Sequence, residues 1–563
     1  MNREPLPAAA LSVRIVFQIL ALVPGFLLHG QAGSGELRGV TKGADNLAIP
    51  GVRVVAHNLE GNAEQTVLSR ADGTFVIENL KPGRYRLSAS KPGEAISSSG
   101  IEVQLNSGQT LNVEIILEKN VLAQSSGFWE RLYKAYADDW NGAAASGPPA
   151  PRRGLPSPLN SPPFPNSDWS YGGAPEIGAP DTNVPPLMQA LYGGAHGQAW
   201  QDSRVKVYGW LEPSFNLSTS HNSNSPSAYD IYANRIEFDQ AVLYVERIPD
   251  SVQTDHVDWG FHLSGLYGTS YRFTTNEGYF SQQLLEQHRQ YGFDPVLEYL
   301  DVYVPQVVAG LNIRVGRFIS VPGIEAQLAP NNYVYTHSLL YSIDPFTDTG
   351  IMGTAKLNDH WLVQLGITAS HDVAPWAPGA RPSGTACVSF TFDGGNDNVY
   401  ACANGLNAGR YAYNNLQMFD NTWYHKFNSS WHMASEGWYM YERDVPSVFG
   451  PVRPEKGTYG AFCAPGQIRC FAPEWAMVNY VERQFSAKNF ISIRSDFLND
   501  EKGQRTGFKT SYAEETLMWG HWVGSTILLR PELRFDRSFD EPAYDNARRR
   551  SQFQLAMDVI FKF

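Results

Sequence analysis

Short runs in which apolar and polar residues alternate recur from about Val205 to the end of the chain. In the last run Gln554, Ala556, Asp558, Ile560 and Lys562 separate six apolar residues: Phe553, Leu555, Met557, Val559, Phe561 and Phe563. Because successive side chains of a strand point to opposite faces, one face would meet lipid or a core and most of the other would meet water. The pattern predicts about 14 strands, within a range of about 12 to 16. The candidate strands lie at about 205–219, 234–247, 256–270, 297–304, 310–318, 349–357, 360–370, 416–428, 431–443, 475–484, 487–499, 508–519, 520–535 and 551–563.

Charged residues occupy the second face of these runs. Arg530, Glu532, Arg534 and Asp536 alternate with apolar residues such as Leu533. The predicted connections alternate between short ones, such as 429–430 and the one at Gly520, and long ones, such as 319–348, 371–415 and 444–474. Short turns at one end and long loops at the other are typical of outer-membrane barrels. The sequence therefore predicts an all-β chain: an antiparallel transmembrane outer-membrane β-barrel over 205–563, preceded by a small β-sandwich.

That small β unit extends over residues 35–118. Short apolar runs such as Val52–Ala56 and Val113–Leu117 are separated by the turn signals Pro50-Gly51, Asp72-Gly73 and Pro82-Gly83. Strands bounded by turns at this spacing are typical of a sandwich.

Two further segments flank this unit. An apolar run from Ile15 to Leu28 follows Arg3 and Arg14 and precedes small residues, which predicts a signal peptide over 1–32 and export of the chain. Residues 119–204 are predicted to be a linker rich in Pro and Gly, with a short helix over Phe128–Trp140. This linker would hold the small domain away from the barrel, or parts of it would plug or line a pore.

Net charge and cysteine content exclude some functions. The chain carries a net charge of -12, has a pI near 5.6, and shows no run rich in Lys and Arg, so nucleic acid is not an expected partner. The four cysteines, Cys387, Cys402, Cys463 and Cys470, are expected to form disulfides in an exported chain rather than to bind a metal. Three pairings are open; the simplest joins neighbours, both pairs then lying in outer loops.

Two families share short motifs with the chain. Residues 35–118 resemble the carboxypeptidase regulatory-like domain, a transthyretin-like sandwich with a carbohydrate-binding-like fold, through Gly39-Val40, Ile49–Val52, Ala71–Phe75 and Leu80–Tyr85. That resemblance implies a non-catalytic accessory domain and specifies no ligand. From about Tyr208 to Phe563 the chain resembles the OmpL-like β-barrel porin family. The residues that carry this resemblance are Tyr208–Trp210, Glu246-Arg247, Gly316–Phe318 followed by Gly323–Glu325, and Thr349–Ile351.

The porin resemblance implies passive diffusion of small hydrophilic solutes through a water-filled barrel. A loop over about 320–348 is the candidate to fold inward and narrow the pore, and it carries Glu325, Asp344 and Asp348. Carboxylates that face arginines across a constriction would set its selectivity. The candidate arginines on the wall are Arg314, Arg494, Arg530 and Arg534. Because a loop of this composition could equally be a surface cover, the constriction role is a hypothesis.

No motif in the sequence indicates catalysis, a cofactor or a metal site: nucleophile elbow, HExxH helix, Walker loop and dinucleotide fingerprint are all missing. The alternatives to a channel are a structural or adhesive barrel whose long loops bind a partner and, less favoured, a TonB-dependent receptor, which would need 22 strands and a plug. The expected location is the outer membrane, with the N-terminal domain in the periplasm. Expected partners are outer-membrane lipid and small solutes, and assembly as a homotrimer is left open.

Overall fold

The computed structural model of the chain describes residues 34–43, 46–59, 64–91, 96–98, 100–119, 127–142, 152–155, 175–321 and 323–563. It divides into two units, Met1–Glu118 and Lys119–Phe563. The predicted signal peptide, residues 1–32, lies outside the described residues.

The first unit is a small all-β domain of eight strands. The strands are β1 (Gly35–Gly43), β2 (Arg53–Asn58), β3 (Glu64–Leu68), β4 (Thr74–Leu80), β5 (Gly83–Ser90), β6 (Ile96–Ser97), β7 (Ile101–Leu105) and β8 (Thr110–Lys119). They are hydrogen-bonded in the order β3-β2-β5-β6-β8-β1-β4, and β7 pairs with β5. β1 pairs with β4 in antiparallel and with β8 in parallel orientation. Val54, Phe75 and Leu87 belong to the buried core of the domain.

Three short helices precede the barrel in the second unit: α1 (Phe128–Trp140), α2 (Pro186–Tyr192) and α3 (Gly197–Ser203). The bounds of α1 confirm the predicted helix. None of the helices that the structure describes is long and apolar enough to cross a membrane.

The rest of the second unit is a closed barrel of 16 antiparallel strands, in which each strand pairs with its neighbours in sequence and the last pairs with the first. The antiparallel barrel is confirmed, and its strand number is 16 rather than about 14. The strands are β9 (Lys206–Ser218), β10 (Ile236–Arg247), β11 (Asp258–Gly268), β12 (Gly292–Val304), β13 (Leu311–Ile319), β14 (Thr347–Lys356), β15 (Trp361–His371), β16 (Ser383–Phe392), β17 (Asp397–Leu406), β18 (Gln417–Asn428), β19 (Trp431–Pro446), β20 (Arg469–Ser486), β21 (Asn489–Asp500), β22 (Thr510–Val523), β23 (Ile527–Ser538) and β24 (Ser551–Lys562).

The two faces of the barrel wall follow the alternation of the sequence. In β23 the side chains of Arg530, Glu532 and Arg534 are buried inside, whereas Leu533 and Phe535 are exposed on the outside. An apolar exterior and a charged interior are the expected faces of a barrel that spans a membrane.

We call the end of the barrel where β9 begins and β24 ends the terminal rim. Connections at this rim are short, such as 429–430, 487–488 and 524–526, and those at the opposite end include 269–291, 320–346 and 447–468. The long connections carry α4 (Tyr271–Thr274), α5 (Gln282–Leu285), α6 (Leu339–Ser342) and the 3-10 turn Ala329–Asn331, while a second 3-10 turn, Asp393–Gly395, lies between β16 and β17.

Two local predictions are wrong. The segment 371–415 is not one outer loop, because it contains the hairpin β16–β17, and Cys387 and Cys402 are directly opposite each other in that hairpin. They form one disulfide and Cys463 and Cys470 form the other, which confirms the neighbour pairing but places only the second pair in an outer loop. The turn predicted at Gly520 lies instead at 524–526, where Gly524 has a φ of +63°. Gly520 is inside β22, where a Cβ would lie 2.2 Å from the Phe490 ring.

Candidate functional site

The connection 320–346 between β13 and β14, which we call the lumenal loop, lies inside the barrel. Apart from residue 322, which is not described, almost every residue of this loop is buried. Leu328, Val334 and Leu340 pack in one apolar cluster with inward-facing wall residues such as Trp438 and Tyr480. The loop therefore lies in the lumen instead of covering the outer surface.

Three arginines on two wall strands bind the lumenal loop. Arg494 on β21 donates to the carbonyl oxygen of Thr336 and to its Oγ1 at 3.1 Å. Arg530 on β23 donates to the carbonyl oxygens of Ala329 and Asn332 at 3.1 and 2.7 Å. Arg534, four residues further along β23 and on the same face, donates to the carbonyl oxygen of His337. All three guanidinium groups are fully buried, so the loop supplies acceptors that water would otherwise provide.

Each of these arginines also has a carboxylate partner on the wall. Arg494 Nε donates to Glu514 at 2.9 Å, and Arg534 Nη2 donates to Asp536 at 2.8 Å. The guanidinium of Arg530 binds Asp558, which lies directly opposite it on β24. A buried ion pair repays its desolvation only when its geometry is good and its other polar atoms are satisfied. The loop carbonyls complete that requirement here.

Wall carboxylates bind the backbone N–H groups of the same loop. Glu532 accepts from the N–H groups of Tyr335 and Thr336, both at 3.1 Å. Asp496 accepts from Leu339 N–H at 2.8 Å, and Glu436 accepts from Ile324 N–H at 2.7 Å. The loop is thus held by donors and acceptors on several strands at once.

The structure brings Glu325 together with Arg494, whereas Asp348 and Arg314 lie outside this group. Glu325 Oε1 lies 3.4 Å from Arg494 Nη1 and accepts from Ser338 N–H at 3.1 Å. Asp348 is in β14 rather than in the loop and pairs with His371 at 2.8 Å. Arg314 binds Asp301 on the neighbouring strand β12 at 2.9 Å.

Asp344 lies among carboxylates rather than beside one of the four predicted arginines. Burial raises its pKa well above the ordinary value, and the nearby carboxylates of Asp420 and Asp372 raise it further.

Carboxylates are in excess over cations inside the barrel. Both carboxylate oxygens of Asp420 and Glu474, and one each of Glu436 and Glu482, lack a hydrogen-bond partner among the described residues. By contrast, Arg494, Arg530 and Arg534 are all paired. No group of three or more His, Cys, Asp or Glu side chains in the described residues is arranged to hold a metal ion.

Part of the linker packs on the terminal rim. Arg153 donates to the carbonyl of Val252 at 2.6 Å and to the hydroxyl of Tyr303 at 2.5 Å, and its own carbonyl accepts from Lys356 Nζ at 3.1 Å. Lys206 Nζ lies 2.5 Å from Asp181. These contacts reach inward-facing residues of β9, β12 and β14, so this part of the linker lies at one opening of the barrel.

Residues 204–563 match the family described as "Putative beta-barrel porin-2, OmpL-like". The chain belongs to this family. Residues 36–118 of this OmpL-like porin match the carboxypeptidase regulatory-like domain, so the two domains follow each other in the predicted order. The barrel is accordingly a porin-type barrel of the outer membrane.

Solved structures give a weaker likeness. The anion-selective porin from Comamonas acidovorans aligns with a TM-score of 0.42 and 9% identity over 64% of this chain and 99% of its own. The outer-membrane channel DcaP of Acinetobacter baumannii aligns with a TM-score of 0.39 and 8% identity over 64% of this chain and 97% of its own. OmpT, an outer-membrane protein of Vibrio cholerae, aligns with a TM-score of 0.38 and 10% identity over 64% of this chain and 99% of its own. No curated protein is significantly similar to this porin in sequence.

The pairing of Glu514 and Asp558 with these arginines was not predicted. Both carboxylates lie on the inward faces of β22 and β24, next to the strands that carry the arginines, and the alternation of the sequence indicates those faces. Register was the missing information, because Arg530 and Asp558 become neighbours only once the hairpin β23–β24 is aligned.

Proposed function

We propose that this OmpL-like porin is a channel for the passive diffusion of small hydrophilic solutes, and that the lumenal loop sets the size of its opening. The observation that carries the proposal is the position of the loop inside a barrel of 16 strands, bound to the wall on several sides. A barrel of this size leaves an aqueous interior unless something fills it. The loop is the element that narrows it, and Glu325 with Arg494, Arg530 and Arg534 forms the constriction.

We further propose that the channel prefers cations. Arg494, Arg530 and Arg534 are paired with Glu514, Asp558 and Asp536. By contrast, the inward-facing carboxylates of Asp420 and Glu436 have oxygens without a hydrogen-bond partner among the described residues. A passing cation would find oxygen ligands there, whereas the guanidinium groups of Arg494, Arg530 and Arg534 are already paired with carboxylates. Rings of carboxylates are the usual source of cation selectivity in pores.

Single-channel recording of the full-length protein in a planar bilayer tests the channel. The matched variant replaces residues 326–342 with a short glycine–serine linker, and heat-modifiable gel mobility shows whether it folds. We expect discrete conductance steps from both proteins, with larger steps from the variant. If both fold and neither conducts, the channel proposal fails and a structural or adhesive barrel, whose long outer loops bind a partner, becomes the better explanation.

The reversal potential in a salt gradient tests the preference for cations. We expect the double substitution Asp420→Asn with Glu436→Gln to shift the reversal potential toward the non-selective value. The double substitution Asp301→Asn with Arg314→Gln is the matched control, because it removes an ion pair from the inner wall without changing the net charge. A reversal potential that the double substitution leaves unchanged would reject these carboxylates as the selectivity determinant.

The proposal includes three further points. The small domain is a non-catalytic accessory domain in the periplasm. The short connections, the start of β9 and the end of β24 all lie at the terminal rim, and the end of an outer-membrane barrel that carries the short turns faces the periplasm. Resistance of this domain to protease added to intact cells tests its location. A homotrimer remains a prediction, to be tested by light scattering in detergent.

A further inference from the structure

Helix α1 carries four aromatic side chains on one face. Trp129, Tyr133, Tyr136 and Trp140 follow one another at spacings of four, three and four residues, which places them in a single stripe along the helix. The opposite side carries Lys134 and Asp138. The four aromatic side chains therefore form one continuous face of the helix.

The C-terminal half of this stripe rests on the barrel at the terminal rim. The Tyr136 ring stacks on Phe561 with centroids 5.3 Å apart, and Trp140 Nε1 donates to Thr526 Oγ1 at 2.9 Å. Asp139 fixes the helix end by accepting from Ser525 N–H and Thr526 Oγ1, both at 2.8 Å. These contacts determine how the helix is oriented on the rim.

Phe561 lies on the outside of the barrel. In β24 the residues Phe553 and Leu555 are exposed, whereas the alternating residues Gln554 and Asp558 are buried inside, and Phe561 shares the parity of the exposed set. The helix that stacks on Phe561 therefore lies beside the outer wall and not over the lumen.

The N-terminal half of the stripe is left open. Trp129 is 77% exposed and Tyr133 is 73% exposed. The helix already has a protein neighbour on another side, where Arg131 Nε donates to the carbonyl of Ala190 in α2 at 2.9 Å and Ala135 is buried. Contacts of α1 with α2 and with the terminal rim thus explain the C-terminal half of the aromatic face, but they do not explain why Trp129 and Tyr133 are aromatic.

We propose that Trp129 and Tyr133 lie in the lipid–water interface of the leaflet that surrounds the terminal rim, so that α1 is an interfacial anchor of the barrel. The stripe continues directly from the outward face of β24, which in a membrane-spanning barrel contacts lipid. Trp and Tyr have an apolar body and a polar tip, and they are the residues enriched at membrane interfaces. A short helix with one aromatic face and a charged opposite face lies in the plane of that interface.

Nitroxide accessibility in the full-length protein, reconstituted in phosphatidylcholine and phosphatidylglycerol vesicles, tests this anchor. All four native cysteines are in disulfides, so Trp129→Cys, Tyr133→Cys and Lys134→Cys each introduce a single reactive thiol. Leu555→Cys, on the outward face of β24, gives the value for lipid. We expect the ratio of oxygen to nickel-chelate accessibility to be several-fold higher at positions 129 and 133 than at 134, and to approach that at 555.

Two outcomes would overturn the proposal. Equal nickel accessibility at positions 129, 133 and 134 would mean that the stripe faces water. Low accessibility to both oxygen and nickel at 129 and 133 would mean that protein, either the small domain or a second copy of the chain, covers the stripe. Neither outcome depends on whether the barrel conducts.

Discussion

Replacing Arg530 with Gln should release the lumenal loop and open the channel. The fully buried guanidinium donates to two loop carbonyls, those of Ala329 at 3.1 Å and Asn332 at 2.7 Å. A hydrogen bond from a charged donor contributes roughly 1.5–3 kcal/mol. The two bonds together give about 3 kcal/mol at the low end, which corresponds to roughly a hundredfold shift between docked and displaced loop.

Single-channel recording measures this shift as a change in the lifetime of the open state. Arg314→Gln is the matched control, because it also removes an arginine from the inner wall but Arg314 binds Asp301 on β12. Arg530→Gln leaves the buried carboxylate of Asp558 without its partner, and such a loss costs roughly 3–5 kcal/mol. The double variant Arg530→Gln with Asp558→Asn removes that charge while keeping the loop released.

Arg530 would not hold the loop closed if Arg530→Gln and the double variant both fold and show the conductance and open lifetimes of Arg314→Gln. Such a result would mean that the loop stays docked without this arginine, or that it does not limit conduction.

Three further predictions concern stability. Burial lowers the pKa of His337 well below its ordinary value. Because the unfolded chain takes up a proton at this position below about pH 6.5, the wild type should lose stability relative to His337→Gln between pH 7 and pH 5. Urea unfolding followed by tryptophan fluorescence should show this loss, and the loss should be smaller in His337→Gln. Replacing both Cys387 and Cys402 with Ser should lower the unfolding free energy by about 3 kcal/mol, the chain-entropy value for a cross-link of this span, and an unchanged urea midpoint would contradict it. Asp139→Ala should raise deuterium uptake in α1 about tenfold or more, because it removes charge-assisted hydrogen bonds to the turn 524–526; Asp138→Ala, on the other side of the helix, should not.

Most of the barrel could be predicted because alternation along a strand is a local property of the sequence. Fourteen candidate segments each correspond to a strand of the structure. The hairpin β16–β17 was missed because its inward face consists of small residues, such as Thr385 and Ser389, which contrast weakly with the outward face. Because Cys387 and Cys402 were assigned to an outer loop, β16 and β17 were not recognised as strands.

The site was less predictable because a loop has no periodic signal. The inward loop and its Glu325 were expected, but which wall groups it meets depends on how the loop folds across strands far apart in sequence. Asp344 illustrates the limit: its neighbours Asp372 and Asp420 come from a different loop and from β18, and nothing in the local sequence brings them together.

A loop buried in a lumen must have its backbone groups hydrogen-bonded, since no bulk water reaches them. The wall meets this requirement with two kinds of charge: Arg530 and Arg534 donate to loop carbonyls, while Glu532 and Asp496 accept from loop N–H groups. Charges committed to the loop in this way hold it in place but are not free to attract a passing ion. Under the proposed preference for cations, selectivity would come from other groups such as Asp420, whose oxygens have no hydrogen-bond partner among the described residues. Opening and selectivity should therefore be separable: substitutions at Arg530 should alter open lifetimes more than reversal potential, and substitutions at Asp420 should do the reverse.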